Sequence, residues 1–193
     1  LGLSIDRIVL LINLSFKLFT TVCTSGNSGI FNEIFNEIFN EIYAYKWLLL
    51  NMKNKTYKVL GLMSGTSMDG LDCCLCNLNI DENYNFKYNI IDWDTFKYNS
   101  NIKKNIKEVI NKPIKADIYS DILGKEFSKI TSYFLKGRKI DLIGSHGQTI
   151  IHIDKKYTKQ IGNPRFLFET HNIPVIYNFR MNDILGNGNG APL

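Results

Sequence analysis

Two apolar runs, 57–63 and 71–78, flank a seven-residue stretch of glycines, hydroxyls and one acid, Ser-Gly-Thr-Ser-Met-Asp-Gly. The runs are short and rich in branched and aromatic residues, so they predict a covered strand, a turn and a second strand. Residues 77–85 are polar and turn-like. Positions 88–98 then alternate aromatics and isoleucines with polar residues, which predicts a third strand at a sheet edge. A short helix is expected over 101–110, ending before Pro113, whose ring and missing N–H stop it. A longer helix over 118–135 would bury Ile118, Ile122, Phe127, Ile130 and Phe134. The basic run 136–139 would close it, with charge that suits a helix C-terminus. A strand over 140–144 then delivers the polar residues 145–149 to its end. A turn at 158–162, a helix over 164–171 with proline in its first turn, and a short strand at 173–177 complete the pattern. The order is that of an α/β domain of the kind that binds nucleotide phosphates.

The first fifty residues read differently. The apolar stretch 8–22 is broken by Asn13, Ser15 and Lys17, short of the roughly 18–20 clean residues a membrane helix needs, so no stable membrane insertion is expected. Arg7 and the Cys23-Thr-Ser segment imitate a secretion signal without a small-x-small cleavage site. The unit Ile-Phe-Asn-Glu then occurs three times over 30–41. As a helix it would align Ile30, Ile34, Ile38 and Ile42 beside Phe31, Phe35, Phe39 and Tyr43, a ridge for a partner or a membrane surface. The competing reading is a short DNA repeat translated in passing, with Met52 as the start. The expectation is a non-native or low-complexity leader at 1–51 and a functional domain at 52–193.

Composition narrows the partners. The chain has 193 residues, 45% of them hydrophobic, enough for one domain with a sizeable core. Lys and Arg exceed Asp and Glu by 23 to 18, but only four are arginines and the lysines are scattered, so no nucleic-acid stripe forms. Cys73, Cys74 and Cys76 fall on alternating faces of one expected strand and Cys23 is remote, which predicts free thiols in a reducing cytoplasm and no metal site.

The candidate chemistry lies in three places. Gly65 and Gly70 permit a tight reversal or close approach to a ligand, and the amides and hydroxyls between them suit phosphate oxygens, with Asp69 or Asp72 to orient water or magnesium. A plain hairpin turn competes. The Gly-Lys-Ser/Thr ending of the nucleotide P-loop is absent. His146, Gln148 and Thr149 make a polar pocket for a hydroxyl-rich ligand, or else His146 merely braces its loop. His146 and His152 lack the spacing of a zinc helix. Near the C-terminus, Arg180 can clamp phosphate or substrate oxygens, and Asp183 can act as a general base or simply cap a helix.

Four segments carry a resemblance. Gly-Leu-Met-Ser-Gly-Thr-Ser-Met-Asp-Gly-Leu-Asp at 61–72, Gly-Ser-His-Gly-Gln-Thr-Ile-Ile-His at 144–152, Thr-Lys-Gln-Ile-Gly at 158–162 and the stretch 178–193 are similar to signatures of the anhydro-N-acetylmuramic acid kinases, in the actin/hexokinase-like ATPase superfamily. The resemblance implies an N-terminal actin/hexokinase-like (ribonuclease H-like) α/β domain, a mixed sheet flanked by helices, with a second domain missing beyond residue 193. It implies a cytoplasmic enzyme of peptidoglycan recycling. ATP, with Mg2+, would phosphorylate 1,6-anhydro-N-acetylmuramic acid while water opens the anhydro ring, giving N-acetylmuramic acid 6-phosphate. It assigns Gly65, Thr66, Ser67, Asp69 and Gly70 to ATP, Asp72, His146, Gln148 and Arg180 to the sugar, and Asp183 with Arg180 to catalysis. A homodimer is expected of the full-length form. Asn178 stands where the family has aspartate, and Asn187 and Asn189 where it has glycine and glutamine. An inactive remnant retaining at most sugar binding is therefore the alternative expectation. Another sugar or acetate kinase is disfavoured by the 145–149 and 190–193 segments.

Overall fold

The computed structural model describes residues 55–65, 67–81, 86–185 and 187–190. The leader at 1–51, with its repeat, and Thr66 lie outside the described residues. Among the described residues six strands form one sheet: β1 (Lys55–Ser64), β2 (Gly70–Ile80), β3 (Phe86–Lys97), β4 (Leu142–Ile153), β5 (Tyr157–Ile161) and β6 (Val175–Ile176). The order is β3-β2-β1-β4-β5, with β6 also on β4. The hairpin β1–β2 and the pairs β2–β3 and β4–β5 are antiparallel, whereas β4 runs parallel to both β1 and β6. This is the mixed sheet flanked by helices of the actin/hexokinase-like class, with β3 at the edge that its alternation predicts.

The β1–β4 crossover contains α1 (Ser100–Asn111), a 3-10 turn (Pro113–Lys115) and α2 (Ala116–Leu135). Asn99 caps α1, its side-chain oxygen accepting the Ile102 N–H at 3.0 Å. Ile102, Ile106 and Val109 of α1 pack with Leu60 and Leu62 of β1 and with Leu71, Cys73 and Leu75 of β2. On α2 the buried stripe is Ala116, Leu123, Phe127, Ile130 and Phe134.

The stripe corrects one expectation. Ile118 and Ile122 are 64% and 36% exposed. At about 100° per residue, Ile122 lies a quarter-turn from Leu123, and Ile118 faces away from Ala116. The isoleucine pair forms a ridge, but not the one that meets the sheet.

Arg138 fixes the end of α2 to the sheet edge. Its guanidinium donates to the carbonyls of Phe134 and Leu135 and to Asp92 of β3, the last at 2.6 Å. Cationic closure of the helix is therefore the work of one side chain. Cys73, Cys74 and Cys76 are buried, and Cys73 and Cys76 are free thiols. Burial raises the Cys76 pKa to about 11 and that of Cys73 further, so both stay un-ionised thiols. Among the described residues no helix is long and apolar enough to cross a membrane.

Two local expectations change. Residues 145–149 sit inside β4 rather than at a strand end, and 158–161 form β5 rather than a turn. The polar composition of 145–149 suggested a loop, but pairing with β1 continues as far as Gln148. On its other edge β4 is shared. Ile143 and Gly144 pair with β6, and pairing with β5 begins at Gln148. Residues 145–147 thus form a fork, open on one side, between two strands.

Candidate functional site

A cavity of about 600 Å3 occupies the fork. Ser145, His146 and Gly147 line its β4 wall, Gln160 comes from β5 and Gly162 from just after it, and Phe168, Val175 and Tyr177 add an apolar side. Gly147 makes the fork possible. Its φ is +73°, and a Cβ there would sit 2.7 Å from the Ile161 carbonyl oxygen. A side chain at 147 would force β4 and β5 apart.

His146 is 3% exposed. Its Nδ1 lies 2.9 Å from the Gly147 carbonyl oxygen, and the Nε–H of Arg180 donates to its Nε2 at 2.9 Å. An arginine only donates and a carbonyl only accepts, so the ring carries its proton on Nδ1 and is neutral. Burial, opposed by the Gly147 hydrogen bond and assisted by the Arg180 charge, lowers its pKa to about 4. The imidazole aims the guanidinium, which also donates to the Gly190 carbonyl at 3.1 Å.

Arg180 and Asp183 lie on α4 (Phe179–Leu185), which follows α3 (Arg165–His171) and β6 in the chain. Burial lowers the Arg180 pKa, from a starting value so high that the group stays charged at neutral pH. Asp183 accepts the Gly190 N–H at 2.7 Å, and the Gly188 N–H donates to its backbone carbonyl at 2.8 Å. A side chain on Gly188 would collide with the Asp183 carboxylate. Asp183 thus holds the 187–190 loop against α4 and does not line the cavity. Asn178 and Asn187, two of the departures from the family pattern, have φ of 68° and 69°. Asparagine tolerates this left-handed backbone, so the turns on both sides of α4 form.

Gln148 belongs to a different network. Only 1% exposed, its Oε1 accepts from Ser64 Oγ at 2.7 Å, and Tyr98 donates to the same Oγ at 2.8 Å. Burial raises the Tyr98 pKa far above the usual phenol value. This chain pins the end of β1, and with it the start of the glycine turn, to β4. In the turn the Met68 N–H donates to Gly65 at 3.1 Å, and among its described residues Met68, φ 56°, is left-handed and Gly65 is not. Gly70 is needed for close approach, since a Cβ there would strike the Phe96 carbonyl. Ser67 and Asp69 are exposed. Asp72, in β2, accepts from the Thr95 hydroxyl at 2.6 Å.

The loop also borders a group that pattern reading missed. The Tyr98 N–H donates to the Asp69 carbonyl at 2.9 Å, and Lys103 in the first turn of α1 approaches the Asp69 carboxylate at 3.5 Å. The α1 N-terminus and an ammonium group therefore stand beside the glycine turn. No sequence signal identified Lys103, because its neighbour is thirty-four residues away.

The structure thus brings His146, Arg180 and Asp183 into one hydrogen-bonded group around Gly190. It gathers Gly65, Ser67, Asp69 and Gly70 at the end of β1, outside the cavity wall. Gln148 and His146, two residues apart on β4 and roughly 7 Å by strand rise, tie the two groups to one strand.

Comparison with known proteins identifies the family of the chain. The family model for anhydro-N-acetylmuramic acid kinase matches residues 57–193. A protein of that name from Caldanaerobacter subterraneus subsp. tengcongensis is 35% identical over 164 residues, 75% of this chain and 41% of the relative. Those from Pelagibacter ubique and Clostridioides difficile are 36% and 38% identical, over 72% and 69% of this chain and 40% and 39% of their own lengths. The chain spans about two fifths of the length of these relatives. With the family model matching most of its residues, the chain belongs to the anhydro-N-acetylmuramic acid kinase family.

Proposed function

We propose that this chain supplies the sugar-binding and phosphate-facing elements of an ATP-dependent kinase acting on 1,6-anhydro-N-acetylmuramic acid, which opens the anhydro ring and yields N-acetylmuramic acid 6-phosphate. The observation that carries the reading is the double attachment of β4: Gln148 secures the glycine turn, and two residues earlier His146 aims Arg180 beside the cavity.

The glycine turn fits a polyphosphate. It exposes the Ser67 hydroxyl, and Lys103 and the α1 N-terminus add positive potential. Asp69, an exposed carboxylate, suits a water of hydrated magnesium. Thr66 belongs to the same proposed set. ATP, when bound, supplies the phosphoryl group. Arg180 is held ready for anionic oxygens, and sugar contacts fall to His146, Asp72 and Arg180, with Gln148 bracing the strand that carries His146. Asp183 is the proposed base toward the ring-opening water, with one carboxylate oxygen steadied by Gly190. Peptidoglycan recycling in the cytoplasm is the setting this chemistry supports.

The test is turnover of 1,6-anhydro-N-acetylmuramic acid with ATP and magnesium by the complete gene product. Asp183→Asn should lower turnover by about 10²–10⁴-fold with sugar affinity retained; an unimpaired variant would remove Asp183 from the base role. A second reading, a remnant that binds sugar without turning it over, is favoured by Asn178, Asn187 and Asn189 standing where the family differs. Sugar binding without formation of ADP and sugar phosphate in the same assay would select it.

A further inference from the structure

Two buried polar atoms of the fork lack a hydrogen-bond partner among the described residues. Ser145 is 1% exposed and lines the cavity, yet its Oγ makes no hydrogen bond. Gln160 lines the cavity from β5, and its Oε1 is likewise unsatisfied. The orientation of this amide follows from its neighbour. Thr158 spends its hydroxyl proton on the Ile151 carbonyl at 3.2 Å, so its oxygen can only accept from Gln160. The Gln160 NH2 must therefore face Thr158, at 2.6 Å, leaving the carbonyl oxygen without a donor.

Leaving a buried polar atom unpaired costs on the order of 1–3 kcal/mol, so two in one cavity need an explanation. Their inventory is specific. Gln160 offers an acceptor, and Ser145 offers a hydroxyl that can donate. They stand on different strands, so the complementary group separates its donor from its acceptor. A secondary amide does this, with one N–H and one C=O. The same cavity carries Phe168 and Tyr177, 51% and 54% exposed, beside Val175. Such apolar walls suit a methyl group and the apolar edge of a sugar ring.

We infer that the fork of the sheet is the seat of an acetamido group. The ligand N–H donates to Gln160 Oε1, its carbonyl accepts from Ser145 Oγ, and its methyl rests against the Phe168–Tyr177 side. The inference rests on the sugar-kinase reading above and adds to it the residues that select an N-acetylated sugar over its free amine. A site built to pair a polar group rejects an analogue lacking it, because its own buried atoms are then stranded.

The experiment is calorimetric titration of the 193-residue chain with 1,6-anhydro-N-acetylmuramic acid and with its N-deacetylated counterpart. The native chain should prefer the acetylated sugar by about tenfold or more. Ser145→Ala should weaken that preference several-fold without lowering resistance to urea, since it removes an unsatisfied hydroxyl; a structural role would lower stability instead. Gln160→Met should abolish the preference, and Tyr177→Ala should weaken both sugars alike. If the native chain prefers the acetylated sugar and both polar variants keep that preference, the inference falls while the kinase reading stands. If both sugars bind equally, the inference also falls. If neither binds, the inference and the sugar reading fall together.

Discussion

Gln148 and His146 are two residues apart on β4, on either side of a bulge in its pairing with β1, both almost wholly buried, yet they serve opposite ends. Gln148 is enclosed by Ser64 and Tyr98 in a closed polar chain. His146 adjoins a cavity, and its partner is a charged side chain from a segment added late in the sequence. The first network is a brace, and the second positions a cation. Burial alone does not separate the two roles; what separates them is whether the polar chain ends inside the protein or at an opening.

Gly147 lies between them, and replacing it should have the largest effect. Gly147→Val combines a left-handed φ with contact against the Ile161 carbonyl, so more than about 3 kcal/mol of stability should disappear in urea unfolding, disturbing both networks at once. A mild effect would show that the fork can open without cost.

The next test separates the networks by pH. His146 is neutral in the native protein, with its pKa lowered to about 4, and titrates near 6.5 when unfolded. The unfolded chain therefore binds an extra proton between those values. The contribution is complete above about pH 6.5 and is lost as pH falls toward about 4, on the order of 3 kcal/mol in total. His146→Gln should flatten that part of the stability profile, whereas Gln148→Leu should leave its slope unchanged. Equal slopes in the native chain and His146→Gln would contradict the neutral-imidazole assignment.

The smallest expected effect is in the brace. Tyr98→Phe removes one donor to Ser64 and should cost about 1–2 kcal/mol. Combined with Gln148→Leu, the two losses should be non-additive, because both act through the Ser64 hydroxyl. Additivity would mean that the three residues do not form one unit.

The strands and helices were legible because their apolar spacing is local. The α2 face was read only in part: a twenty-residue helix carries more than one apolar ridge, and the sheet, absent from any local window, selects Leu123 over Ile122. The 145–149 segment has the composition of a loop, and only its pairing with β1 keeps it a strand. Resemblance singled out His146, Arg180 and Asp183 as candidates, but the bond from Arg180 to His146 joins residues thirty-four apart and left no pattern to read. The same holds for Ser64 with Gln148, eighty-four residues apart, and for the unpaired atoms of Ser145 and Gln160, which can be recognised only once every nearby donor has been assigned.

The partners that orient Arg180, an uncharged ring nitrogen and a backbone carbonyl, direct its cation without neutralising it. A carboxylate in either place would have aligned the side chain equally well and consumed its field. Folding here delivers an aimed but unspent positive charge, so an incoming anion would find its counterion already in place and would have no internal rival to displace.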